Sequence, residues 1–180
     1  PDGKKLLFNR FSFYISDVSL EGGEESVIQD DVKMLNFTNV NSSKAGAEQG
    51  LTYQLKNVPQ DSYSSFSFCV GVPQAKNIMK PSDFGIGDDL SIAAEYWQPW
   101  RSYIFARTEG FIDLEGDNTK EKGFALHTGG SNALVCLDAN QSFNITESGN
   151  DILVEIDLKK LFGESTIYNI AANPQIHSLA

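Results

Sequence analysis

Thiols are scarce in this chain. It holds two cysteines, Cys69 and Cys136, and neither belongs to a C-x-x-C pair, which excludes a tetrahedral zinc site built from thiolates. Both fall inside strand-like stretches, and two readings stay open: a disulfide in an exported protein, or two buried free thiols. Positive charge is also short, with 14 Lys and Arg against 24 Asp and Glu and a net charge of −10 at pH 7. Phosphate binding needs clustered Lys and Arg, so no nucleic-acid partner is expected. The same imbalance argues against an anionic membrane surface and is permissive for cations. No apolar run approaches the length of a membrane span, so no transmembrane segment is expected. Catalytic signatures are missing as well. There is no G-x-S-x-G elbow and no G-x-G-x-x-G after a strand, and the two histidines, His127 and His177, have no local companions that would make a triad. The adjacent acids Asp30-Asp31 and Asp88-Asp89 sit in turn-like stretches, where carboxylates are usually solvated. The chain therefore reads as non-enzymatic.

Alternation is what the sequence does have. The 180 residues are 41 % hydrophobic and 21 % charged, enough to bury the core of one globular domain spanning 1–180. From Leu6 to Leu20 apolar and polar residues alternate, and the parity flips after Ile15, which predicts a bulge near Ser16-Asp17. Short strands are expected at Ser26–Gln29 and Met34–Thr38, a solvated polar loop over Asn39–Gly50, and further alternation over Leu51–Leu55. Phe66, Phe68, Val70 and Val72 share one face of a clear strand. Pro73–Leu90 is a long connection of the functional or compact Ω type. Strand-like stretches follow at Ser102–Asp113, Lys122–Thr128, Ala133–Leu137, Ser142–Thr146 and Asp151–Leu158. One helical turn is expected after Asp157 as N-cap, with Gly163 as its stop. About ten short strands, with no internal repeat and no linker, predict an all-β antiparallel β-sandwich with long loops and at most one short helical turn.

Three places carry chemistry. Tyr96, Trp97 and Trp100 lie in one run, and two tryptophans beside Pro99 are either a packed corner or the wall of a site. His127 has the opposite parity to Phe124 and Leu126, so it faces away from the core side they define, as a network histidine or a metal ligand. Asp113, Glu115 and Asp117 put oxygen donors at every second position, like the start of a calcium loop. The pattern then breaks, because position six is Asn118 and position twelve Phe124, and an acidic hairpin turn is the stronger reading. The first residues, Pro1-Asp2-Gly3-Lys4-Lys5, lack an initiator Met, so an export signal or an N-terminal lipid anchor is expected upstream.

Several pieces, taken in order, carry a resemblance. They are Leu7–Val18, Phe68-Cys69-Val70-Gly71-Val72-Pro73, the Trp97-x-x-Trp100-x-x-Tyr103-Ile104-Phe105 block with Glu109-Gly110, Leu126-His127-Thr128-Gly129, and Asn173-Pro174 with Ile176-His177. Together they resemble the MbnP-like family, copper-binding proteins encoded beside methanobactin and di-haem peroxidase genes, with many relatives in the Bacteroidetes. The resemblance implies an exported β-sandwich, periplasmic or at the cell surface, that binds copper. It implies ligation by histidine nitrogens and an oxidised tryptophan (kynurenine), with a di-haem peroxidase-type partner as oxidant. Carried onto this chain, His127 and then His177 are the ligand candidates, and Trp97 and Trp100 are the residues whose oxidation state matters. Where relatives often have His-Pro-Leu before the tryptophan block, this chain reads Asp88-Asp89-Leu90. That leaves His127 and His177 as its only imidazoles and keeps calcium in view as a harder alternative. The other expectation is a surface glycan- or protein-binding module that uses the same aromatic residues without metal.

Overall fold

The alternating segment at the start becomes a single long strand, β1 (Lys5–Glu21), on which the main sheet is assembled. The computed structural model describes residues 4–40, 43–161 and 168–179. Two short strands, β2 (Val27–Gln29) and β3 (Lys33–Asn36), pair with β1. The next, β4 (Ser62–Tyr63), joins β10 (Phe143–Asn144) in a separate two-stranded ribbon. In the main sheet β5 (Ser65–Val70) and β9 (Val135–Ala139) lie to one side of β1. On the other side lie β7 (Ser102–Asp113), β8 (Lys122–Gly129) and β11 (Gln175–Leu179), with β6 (Tyr96–Trp97) paired to the start of β7. The result is an all-β, sandwich-like fold, with the large sheet curled.

The curl follows from β1. Residues Lys5–Phe13 pair with β7, while Ile15–Glu21 pair with β5. Between Ser16 and Ser19 the register slips, and Asp17 takes a φ of 49°. This is the bulge that the parity flip predicts, and it lets one strand serve both halves of the sheet. All the pairings of β1 are antiparallel. One pairing elsewhere departs from the antiparallel expectation: β11 runs parallel to β8. A parallel pair requires a long crossover, and here the chain travels through β9, β10 and the segment after them before it returns.

The two faces of the sheet are covered differently. On one, Phe8 and Leu6 pack with Ile112 and Phe124 beneath Tyr168 and Ile170. On the other, the long connection that precedes β6 folds down over Tyr14, Tyr103 and Phe105. It is compact rather than open, with a short helix α2 (Gln74–Asn77) and three 3₁₀ turns. Buried tyrosine hydroxyls hold it: Tyr14 donates to the carbonyl of Asp89 (3.1 Å) and Tyr103 to that of Leu90 (2.7 Å). Buried Asn77 accepts from the Tyr103 N–H (2.9 Å) and the Ser102 hydroxyl (3.0 Å). The tyrosine hydroxyls and the Asn77 carboxamide oxygen beneath this connection thus each find a partner, as burial demands.

Other stretches differ from the sequence reading. Ser43 caps a helix, α1 (Lys44–Gln49), inside the segment expected to be a solvated loop, because its hydroxyl takes the Gly46 N–H. Residues 51–55 and 151–157 form no strand. Ile152, Leu153, Val154 and Ile156 stay exposed, since alternation marks two faces but supplies no partner strand. The helical turn after Asp157 is α3 (Leu158–Leu161), and its expected stop, Gly163, lies outside the described residues. Among the described residues no helix is long and apolar enough to cross a membrane.

Cys69 and Cys136, left open by the sequence, are directly paired across β5 and β9 and form a disulfide that closes a span of 67 residues. Every residue of β9 is exposed, so this bond and the β5 ladder carry much of its attachment. Replacing both cysteines by alanine should lower the unfolding free energy by about 2–4 kcal/mol, the range typical of native disulfides. Urea unfolding of the oxidised parent against the double variant measures it.

Candidate metal centre

The centre is built by pairing across three strands. In the register of β7, β8 and β11, Arg107 lies opposite His127, and His127 opposite His177. Opposed residues share a face, so the three side chains form a row across the sheet, with Glu109 diagonally adjacent. The two imidazoles meet edge to face, with ring centres 4.9 Å apart. The tryptophans arrive from above. β6 and β7 form a hairpin whose loop, Gln98-Pro99-Trp100-Arg101, is closed by the Trp100 N–H donating to the Trp97 carbonyl (3.0 Å). Arg101 takes a left-handed φ of 51° to complete the turn. Trp97 then lies parallel to His177, with centres 5.5 Å apart and planes 14° apart, and Trp100 packs against both at 6.0 and 6.4 Å.

Four residues from three parts of the chain therefore converge: His127, His177, Trp97 and Trp100. Tyr96 does not join them. Strand alternation turns it the other way, into the core, where its ring packs edge-on to Tyr103 at 5.1 Å. Gly129 seats Trp100. A Cβ there would come within 2.6 Å of the Tyr103 carbonyl oxygen and 3.1 Å of the Trp100 ring.

His127 is buried and His177 exposed. The Nε2 of His127 lies 2.7 Å from a Glu109 oxygen. Its Nδ1 is buried without a hydrogen-bond partner among the described residues. An orphaned buried nitrogen costs stability, so it is the atom to examine for a ligand. Behind Glu109 runs a chain of alternating charge. Arg107 Nε lies 3.7 Å from Glu109 and 3.6 Å from buried Glu95, which also pairs with Arg10. In the sequence Glu109 enters only through the Glu109-Gly110 piece of the resemblance, with no role attached, and no local spacing marks the charge chain behind it.

Burial holds the proton affinity of His127 below its ordinary value, the hydrogen bond to Glu109 opposes that, and nearby Arg107 and His177 push it down further. The imidazole is therefore neutral at pH 7, as a metal-ligating nitrogen must be. The residues fit a soft or borderline metal. Two imidazoles meet edge to face, and one buried ring nitrogen has no hydrogen-bond partner among the described residues. An indole N–H is a donor only, so the intact tryptophans offer ring faces and no lone pair.

The acidic stretch folds otherwise than the spacing suggests. Asp113, Asp117 and Glu121, not Glu115, bring carboxylate oxygens within 4.8 Å of one another. Asp113 accepts the N–H groups of Gly116 (2.6 Å), Asp117 (3.2 Å) and Asn118 (2.8 Å), which is an Asx-type turn closing the β7–β8 hairpin.

The sequence model of the MbnP family matches residues 2–178. Among solved structures, MbnP from Methylosinus trichosporium is similar at 17 % sequence identity with a TM-score of 0.42, over 82 % of this chain and 62 % of that one. The chain thus spans less than two thirds of that protein's length. No curated protein matches the chain.

Two outcomes are expected here. The unfolded imidazole takes up its proton near 6.5 and the folded one only at lower pH, so in that window the unfolded state binds more protons. Stability should accordingly fall as the pH drops below 6.5, and NMR titration of the His127 ring protons should give a midpoint below that value. Gly129→Ala should displace Trp100, read as a changed near-UV circular dichroism band with the far-UV spectrum retained.

Proposed function

The chain belongs to the MbnP family, and from that premise we propose that it is an exported, non-enzymatic protein that binds copper, as Cu(I), at His127 and His177 beside Trp97 and Trp100. The observation that carries this is the pair of imidazoles in edge-to-face contact, one of which has a buried nitrogen with no hydrogen-bond partner among the described residues. Imidazole nitrogens suit copper, and the aromatic walls favour a soft ion over calcium, which takes six to eight oxygens. When bound, the metal would supply the positive centre that the unpartnered Nδ1 lacks. Opening the indole ring of Trp97 or Trp100 to kynurenine would expose an aromatic amine as a further donor. A di-haem peroxidase-type partner is the oxidant this reading implies, and Trp97, the more exposed of the two, is open to it. The Cys69–Cys136 disulfide supports export, since such bonds persist in oxidising compartments.

A glycan- or protein-binding module without metal is the competing reading. It is weakened by Tyr96, which lies in the core, and by Trp97, one face of which is covered by His177. Calcium at the acidic turn is weakened by the engagement of both Asp113 oxygens with backbone N–H groups.

An anaerobic Cu(I) titration against a competing chelator tests the proposal. The parent should bind one equivalent. His127→Ala and His177→Ala should each lose more affinity than the ~10–100-fold typical of outer-shell changes. A parent that competes no better than His127→Ala would end the copper reading.

A further inference from the structure

We propose that Glu109 is the positioning residue of this centre: by accepting the Nε2 hydrogen of His127 it fixes the tautomer that leaves Nδ1 as the free lone pair. The inference rests on the reading of His127 as a ligand and adds a residue that reading does not include. A neutral imidazole carries one N–H, and which nitrogen bears it is set by the hydrogen bond the other atoms make. Glu109 Oε1 lies 2.7 Å from Nε2. A carboxylate has no hydrogen to give, so the hydrogen in that contact belongs to His127. The same oxygen lies 3.7 Å from Arg107 Nε, so a guanidinium and an imidazole converge on one acceptor.

Arg107 is itself held. It donates from Nη2 to the Ala94 carbonyl (3.0 Å) and faces Glu95 at 3.6 Å, and Glu95 pairs in turn with Arg10. Glu95 is buried, and a buried carboxylate flanked by two arginines leaves Arg107 little freedom to turn. The network therefore fixes Glu109 from the side away from the centre, and Glu109 fixes His127. A purely structural role would require only that His127 be satisfied. The arrangement instead satisfies one nitrogen with a charged acceptor and leaves the other buried without a hydrogen-bond partner among the described residues, in a ring whose centre lies 4.9 Å from that of His177. Outer-shell carboxylates that orient ligating histidines act in this way.

The test reads the tautomer directly. Long-range proton–nitrogen correlation spectra of the metal-free, nitrogen-15-labelled protein identify the protonated nitrogen of His127. The parent, Glu109→Met and Glu109→Gln are compared, and Cu(I) affinity is measured for each by anaerobic chelator competition. The parent should show one tautomer, protonated at Nε2. Glu109→Met should lose that single form and weaken Cu(I) binding by roughly 10–100-fold. Glu109→Gln, whose amide oxygen still accepts between Arg107 and His127, should stay close to the parent in both. A parent protonated at Nδ1, a Glu109→Met protein with an unchanged tautomer, or a changed tautomer without loss of affinity overturns the proposal. If the parent binds no Cu(I), the copper reading fails by itself, while the tautomer comparison still decides whether Glu109 sets the proton.

Discussion

The parallel pairing of β11 with β8 is the constraint on which the centre depends. His127 and His177 are far apart in sequence, and neither has a useful neighbour in its own segment. The pairing puts them directly opposite each other and turns both to the same face. It is reinforced where the strand begins, by the Ala125 N–H donating to the Pro174 carbonyl (2.8 Å). Pro174 suits that position: it fixes an extended entry, and the N–H it lacks is not called on. A slip of one residue would send His177 to the opposite face, away from the tryptophans. The register is therefore as much a part of the centre as the rings are.

Electrostatics complete what the register begins. Arg10, Glu95, Arg107 and Glu109 alternate in sign, so the charges below the histidines compensate one another. Burying such a chain is costly unless every member is paired, and removing one member leaves another exposed to a poor solvent. The chain ends on a neutral imidazole rather than on a further charge. A cation held at Nδ1 would sit on an imidazole whose other nitrogen lies 2.7 Å from the Glu109 carboxylate.

Much of the fold could be read from alternation. Ser102–Asp113 is a strand over the range expected, and the parity flip after Ile15 located the bulge that lets β1 serve two halves of the sheet. Alternation fails where tertiary context decides. Asp151–Leu158 has a better period-two pattern than β9, yet β9 has β5 and a disulfide beside it and residues 151–157 have no strand partner. The Ser43 cap is not legible in the sequence, because a short polar segment rich in Ala and Gly suggests a loop before it suggests one helical turn. For the centre, residue types pointed to His127, His177, Trp97 and Trp100, but their convergence needs a parallel strand and a tight hairpin together. Glu109 could not be singled out, because its role comes from a diagonal contact whose register no local spacing encodes.

Two groups of potential ligands among the described residues, the acidic turn and the histidine pair, differ in what folding has already done with them. At the β7–β8 turn, the oxygens of Asp113 are engaged by three backbone N–H groups, so an ion there would have to displace the contacts that shape the loop. At the histidine pair, the hydrogen bond that shapes the ring's orientation uses Nε2 and leaves Nδ1 untouched. A ligand at Nδ1 therefore costs no existing bond and relieves a buried nitrogen that is otherwise bare. That asymmetry, more than the count of donors, separates the acidic turn, whose oxygens hold the loop together, from the histidine pair, where one buried nitrogen has no hydrogen-bond partner among the described residues.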